Sequence, residues 1–206
     1  MVTPLQILAF YNAIANGGRM MKPYIVESLE KNGEAVEKFD PVLMSVVCSQ
    51  ATTDTLVRAL RKVTEGVDGT AYSSMKGARC SVAGKTGTAW IGLEKKERIG
   101  ARGPYELADG SRKYQASFAG FFPADNPKYS AIVVLYSGET KGNFYGGSWA
   151  GPVFKQIADH IYSTSNDWEP VLDGKKKCGS KPDIATGRMD AQNKVMAELG
   201  IEYDKI

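Results

Sequence analysis

Apolar positions recur at helical spacing near the start of the chain, where Ile7, Leu8, Tyr11, Ile14 and Ala15 share one face. Thr3 precedes them as an N-cap, Gln6 stands three residues on to complete a capping box, Pro4 takes the first helical position and Gly17 supplies the stop. A helix patterned in this way is expected to lay its apolar face against a sheet. Residues 24–29 read as a short strand, and residues 50–64 return to the helical period through Leu56, Ala59, Leu60 and Val63 before Gly66. Three extended segments follow, at 80–90, 114–122 and 129–136. The run Pro123-Ala124-Asp125-Asn126-Pro127 between the last two is a strong turn signal, and a helix over 148–162 is placed to cover one face. This order of elements predicts an α/β (α+β) unit, an antiparallel meander covered by helices.

Composition changes the picture mainly at the far end. With 43% hydrophobic and 24% charged residues, a chain of 206 can bury one core and carry an appendage. Beyond Ser163 the sequence turns polar, lysine-rich and glycine-containing, so residues 1–163 read as the folded portion and 164–206 as a polar linker or partial C-terminal extension with a short helix over 190–199. A net charge of +3 indicates no nucleic-acid partner, and Lys175-Lys176-Lys177 reads as a solvated run. The apolar run 131–136 has the length of a strand, far short of a bilayer span, and no signal segment is read at the start. Cys48, Cys80 and Cys178 show no C-x-x-C spacing and have only His160 to join them, which argues against a zinc or redox site. They read as buried or idle thiols, or as including one disulfide whose pairing the sequence leaves open. His160 falls late in a helix, where a charge near the C-terminal dipole is the ordinary explanation.

Candidate chemistry concentrates in Ala83-Gly84-Lys85-Thr86-Gly87-Thr88-Ala89, which sets a lysine and two hydroxyls on a small-residue strand that a ligand can approach closely. Two chemistries use such a stretch. Gly84-Lys85-Thr86 ends like a phosphate-binding loop, but that loop needs glycine where this chain has Arg79, and no helix-forming run follows Thr86. The other is the Lys-Thr-Gly box of acyl-serine enzymes, a companion of S-x-x-K. Ser73-Ser74-Met75-Lys76 spells S-x-x-K, yet it lacks an apolar-periodic helix around it and runs directly into the lysine strand.

The surroundings of that box resemble class B penicillin-binding proteins. Val2-Thr3-Pro4-Leu5-Gln6, Asn16-Gly17-Gly18, Lys22-Pro23, Gly69-Thr70-Ala71, Ser117-Phe118-Ala119-Gly120-Phe121-Phe122-Pro123, Asn126-Pro127-Lys128-Tyr129 and Gly146-Gly147 with Ala150-Gly151-Pro152-Val153-Phe154 follow in that family's order over residues 2–162. The resemblance implies the C-terminal part of the penicillin-binding transpeptidase fold and a peptidoglycan D,D-transpeptidase that works without a cofactor or metal. It implies Lys85 as the catalytic lysine of the box, and Thr86, Gly87 and Thr88 as the residues that bind a D-Ala-D-Ala stem peptide or a β-lactam. The backbone N–H of Thr88 is then one of two oxyanion-hole donors. A parent protein anchored at the periplasmic face of the bacterial inner membrane, working with the cell-wall synthesis machinery, is implied as well. A serine β-lactamase or β-lactam sensor domain, and a non-catalytic binding or scaffolding module using the same groove, are the alternatives.

In that family the nucleophilic serine with its lysine, and then an S-x-N box, precede the helix that begins here at Thr3. The S-x-x-K match at 73–76 comes after that helix, and no serine is followed two residues later by asparagine. The expectation is a fragment that carries the substrate wall without the nucleophile and is inactive alone. Trp90 departs from the resemblance, since a polar residue such as glutamine is expected there; it reads as packing beneath the long connection 91–113 or as a stacking surface for the stem peptide. The family's sheet places the lysine strand at one edge, then the strand from Tyr114, then that from Tyr129, with further strands from earlier sequence. The apolar edge formed by Ile132, Val133, Val134 and Leu135 is therefore expected to be bare and to promote self-association.

Overall fold

A computed structural model of the protein describes residues 2–98, 100–142, 144–165 and 198. Helix α1 (Pro4–Ala15) starts as the capping pattern requires: the Thr3 hydroxyl accepts from the Gln6 N–H at 3.3 Å, and the Gln6 side-chain oxygen accepts from the Thr3 N–H at 2.9 Å. Helix α2 (Gln50–Glu65) is capped by Ser49, whose hydroxyl accepts from the Thr52 N–H, and it closes at Gly66. A single turn, α3 (Tyr72–Met75), leads into the central sheet, and α4 (Gly146–Thr164) outruns its expected span by two residues at each end.

The sheet is an antiparallel meander of β5 (Ala83–Trp90), β6 (Tyr114–Phe122) and β7 (Tyr129–Tyr136), in that spatial order. The last two strands match their sequence-derived bounds. The first begins three residues later than expected, because Ser81 is engaged elsewhere: its carbonyl and its hydroxyl both accept from the Ala124 N–H, at 2.9 and 3.0 Å. The Ser81 hydroxyl also donates to Asp125 at 2.7 Å, and with the neighbouring Arg61 it holds that carboxyl below the usual carboxylate range. The entry to β5 is thus pinned to the β6–β7 turn.

Side-chain alternation gives the sheet two covered faces. Phe118, Phe122 and Val133 face α4, where they meet Ala150, Phe154 and Ala158; the Phe118 and Phe154 rings lie 4.6 Å apart, centre to centre. On the opposite face Ala83 and Phe121 pack against Ile14 of α1 with Leu56 and Leu60 of α2. The first helix does lie on the sheet, but only Ala13 and Ile14 are buried there, and Ile7, Leu8 and Tyr11 stay half-exposed.

The strand expected over 24–29 is a correction. The chain instead makes β1 (Arg19–Met21) paired with β4 (Leu43–Val46), and a hairpin of β2 (Ser28–Lys31) with β3 (Glu34–Lys38). Tyr24, Ile25 and Val26 run exposed between them without a strand partner. Asn32 and Gly33 turn the hairpin at φ 55° and 83°, an Asn-Gly signal that periodicity alone does not register. These elements all belong to one compact unit. The short helix expected over 190–199 lies outside the described residues except for Glu198, as does Cys178.

Candidate functional site

Backbone phase decides what β5 offers to a ligand. The Ile91 N–H donates to the Lys113 carbonyl at 2.9 Å, continuing the β5–β6 ladder by one bonded pair. Backbone groups along a strand alternate sides, so those of Lys85, Gly87 and Ala89 point to β6, and those of Thr86, Thr88 and Trp90 point the other way. The next ladder agrees: Tyr114, opposite Trp90, uses its carbonyl to accept from the Ser137 N–H on the β7 side. Among the described residues no strand lies beside that outer edge of β5.

The side chains of the Lys-Thr-Gly-Thr stretch gather at this edge. Thr86 and Thr88 emerge on the α4 face and Lys85 on the other, yet the Lys85 ammonium reaches round the edge to donate to the Thr86 carbonyl at 3.0 Å and to Thr86 Oγ1 at 3.2 Å. Thr70 Oγ1 lies 2.9 Å from Thr86 Oγ1. The Gly146 N–H, at the first turn of α4, donates to Thr88 Oγ1 at 3.0 Å. This approach needs glycine at 146, since a Cβ there would overlap the Gly87 and Ser117 carbonyl oxygens. Lys85 and the N-terminus of α4 therefore both bring positive potential to the two threonine hydroxyls.

Thr70 belongs to this cluster although its role was not assigned from sequence, where Gly69-Thr70-Ala71 was visible only as a motif. A tight loop after α2 sets it: Gly69 N–H donates to the Gly66 carbonyl at 2.8 Å and Ala71 N–H to that of Val63 at 3.0 Å. The S-x-x-K match fares differently. Ser73 sits exposed in the single turn α3, Lys76 follows that turn, and no hydrogen bond joins them to each other or to Lys85. Gly84-Lys85-Thr86 lies inside a strand with no helix after it, which is not the arrangement of a phosphate-binding loop.

The long connection after β5 is built of successive turns. Leu93 N–H donates to the Pro104 carbonyl at 2.9 Å, and the Leu107 N–H to the Ser111 carbonyl at 3.0 Å. The Lys113 ammonium donates to Glu97 and holds its carboxyl below the usual range, and Arg112 does the same for Glu106. Cys48 and Cys80 are free thiols, and burial, aided by the Asp159 carboxylate, pushes Cys80 up to about 11. His160 is exposed on α4. Among the described residues no group of three or more potential ligands could hold a metal ion, and no helix is long and apolar enough to cross a membrane.

Comparison with known proteins agrees with this architecture. The model of the penicillin-binding protein transpeptidase domain matches residues 1–159. Peptidoglycan D,D-transpeptidase FtsI of Escherichia coli (strain K12) is 29% identical over 166 residues, which cover 81% of this chain and 24% of that protein. Stage V sporulation protein D of Bacillus subtilis (strain 168) is 32% identical over 165 residues, covering 76% and 22%. The structure of penicillin-binding protein 2B from Streptococcus pneumoniae (strain R6) superposes with a TM-score of 0.61 at 25% identity, over 82% of this chain and 26% of that one. The chain spans about a quarter of the length of these relatives. With the family model lying over most of its length, and the meander and helices in place beneath it, this chain belongs to the penicillin-binding protein transpeptidase domain family.

Proposed function

We propose that the chain carries the substrate-binding wall of a peptidoglycan D,D-transpeptidase. One observation supports this most: an outward Thr88 N–H, the hydroxyls of Thr86 and Thr88 and the Lys85 ammonium converge on the open edge of β5. An acyl-serine transpeptidase must hold the terminal carboxylate of D-Ala-D-Ala while the preceding carbonyl is attacked. Thr86 Oγ1 accepts from Lys85, and Thr88 Oγ1 accepts from Gly146, so each hydroxyl proton can be turned toward that carboxylate. Lys85 and the α4 N-terminus favour the negative charge. A peptide laid antiparallel on the edge gives its attacked carbonyl to the Thr88 N–H, an oxyanion donor, and its own N–H to the Thr88 carbonyl. A β-lactam enters the same groove, its carboxylate standing in for that of the peptide.

This reading gives the acylating serine to none of the described residues, so the bond between serine oxygen and substrate carbonyl forms only when that group is supplied. It assigns residues 164–206 to a linker or partial extension. It places the parent protein at the periplasmic face of a bacterial inner membrane, within the cell-wall synthesis machinery. The outer edge of β7 presents a row of backbone groups that a second copy can pair with.

The test is titration of the 206-residue protein with Nα-acetyl-D-Ala-D-Ala under two-dimensional NMR. The amides of Thr86 and Thr88 are expected to shift, and Lys85→Ala to weaken binding at least about tenfold, the loss of a charged contact. No movement of any β5 amide at saturating peptide overturns the reading.

A further inference from the structure

The open edge of β7 lies beside an apolar flank of α4. Because the Ser137 N–H donates to the Tyr114 carbonyl at the start of β6, Ser137 and every second residue before it turn their backbone groups inward. Those of Ser130, Ile132, Val134 and Tyr136 point outward, and no strand meets them among the described residues. Helix α4 crosses the sheet with Ala150, Phe154 and Ala158 set on the core. Its Gly147 faces Thr86 on β5, and its Gly151 faces the Ser74 hydroxyl on α3. Trp149, Val153 and Ile157 therefore take the opposite flank, on the β7 side, where they are 51%, 38% and 37% exposed. Phe144 stacks on the Trp149 ring at 4.8 Å between centres and holds its plane.

Strand pairing says what fits there. Two copies of β7 can join antiparallel about a two-fold axis perpendicular to the sheet, an arrangement that puts both copies of α4 on one face. Centred on Val133, this pairing sets Ser130 opposite Tyr136 of the second copy and Ile132 opposite its Val134, so all four outward residues of each strand are bonded. Any shift leaves one of them beyond the end of β7. Gly146 stands against the Ser117 carbonyl, and Ser117 is paired with Val134, so Trp149 and Val153 in the turns that follow pass beside the axis. With strands ~4.8 Å apart, two helices lying over β6 stand about 14 Å from each other, beyond the ~8–10 Å of direct helix contact. That gap takes a side chain as large as tryptophan. We infer that a second copy of this chain docks on this face, its β7 continuing the sheet about Val133 and its Trp149 meeting Trp149 and Val153 across the axis. The inference rests on the β7 edge being open to a second copy, and it adds the register and the helix layer.

Sedimentation equilibrium of the 206-residue protein is the experiment, and the wild type is expected to dimerise. Trp149→Glu should weaken the dimer at least about tenfold, the loss of one central aromatic contact, with circular dichroism unchanged. Oxidation of Val133→Cys with diamide should join position 133 of the two copies, seen by peptide mass mapping, because opposed residues of a non-bonded pair stand about 4.5 Å apart at Cα. If Val133→Cys fails to fold, Ala131→Cys mixed with Leu135→Cys takes its place, and the two variants must cross-link to each other and neither to itself. A dimer that Trp149→Glu leaves intact overturns the helix layer and keeps the open edge. A folded dimer without the expected cross-link overturns the register. A strictly monomeric wild type overturns the edge reading, and the docking with it, while the site at Lys85 stands.

Discussion

Thr70 and Thr86 bring their hydroxyl oxygens to 2.9 Å across sixteen residues of sequence. One comes from the loop after α2 and the other from the strand that carries Lys85, so the loop acts as a brace for the hydroxyl that faces the groove. Thr70→Val keeps the shape and removes the hydrogen bond. It is expected to lower affinity for Nα-acetyl-D-Ala-D-Ala by about threefold to tenfold with the fold intact, the range for one hydrogen bond to a polar site. Unchanged affinity by the same NMR titration takes Thr70 out of the site.

Covalent chemistry should separate the wall from the nucleophile. Intact mass of the 206-residue protein after incubation with excess benzylpenicillin is expected to show no adduct. A stoichiometric adduct on Ser73 or any other serine contradicts the assignment. In a protein that also carries the acylating serine, Lys85→Ala should slow acylation by about a hundredfold, the scale of one preorganised electrostatic contact to the reacting group. Rates within threefold of wild type in a folded variant remove Lys85 from that role.

Gly84 sets the closeness of β5 to the core. A Cβ on it would stand 2.6 Å from Phe118 Cε1 and 2.7 Å from the Ala119 carbonyl oxygen, and the Phe118 ring is fully buried. Gly84→Ala should destabilise the protein by about 1–3 kcal/mol, the cost of overpacking a filled core, measured by chemical denaturation. A variant as stable as wild type shows that the ring can move after all.

Cys80 gives a pH dependence with a definite sign. Its folded thiol holds a proton up to about 11, whereas an unfolded thiol loses it near ~8.5. The contribution of this group is therefore complete below the unfolded range and is lost as pH climbs toward 11. Stability should fall more steeply above about pH 8.5 in wild type than in Cys80→Ala. Iodoacetamide labelling of Cys80, followed by peptide mass mapping, should keep rising about tenfold per pH unit through pH ~10. A plateau near pH ~9 shows an ordinary thiol.

The open edge of β7 should show itself in solution. Ile132, Val133, Val134 and Leu135 lie on a strand with β6 on one side and no strand on the other among the described residues. Light scattering over a concentration series is expected to reveal dimers. Tyr136→Lys, at an exposed position whose backbone groups lie on that edge, places a charge there and should reduce association in a folded protein. A strict monomer at all concentrations removes the proposal.

Much of this architecture was legible locally. Thr3, Pro4 and Gln6 encode the start of α1 within four residues, and β6 and β7 fall on their expected bounds because the turn between them is written in prolines and polar residues. The small strands were missed for the opposite reason. β1 has three residues and finds its partner β4 more than twenty positions later, and β3 and β4 are exposed along their whole length, so no alternation marks them.

The larger helices and the three strands of the central meander, the Lys-Thr-Gly-Thr stretch and the family whose motifs surround it could all be read along the chain. Folding alone sets which edge Thr88 offers, that Thr70 supports Thr86, that the α4 N-terminus rests on Thr88, and that Trp90 is half-exposed. Those relations depend on strand register and on contacts between segments as far apart as Thr88 and Gly146, and neither is encoded in the spacing of neighbouring residues. Capping, turns and periodicity are short-range interactions of a few residues, so they can be read from the chain; a shared edge exists only once the chain has folded back to make it.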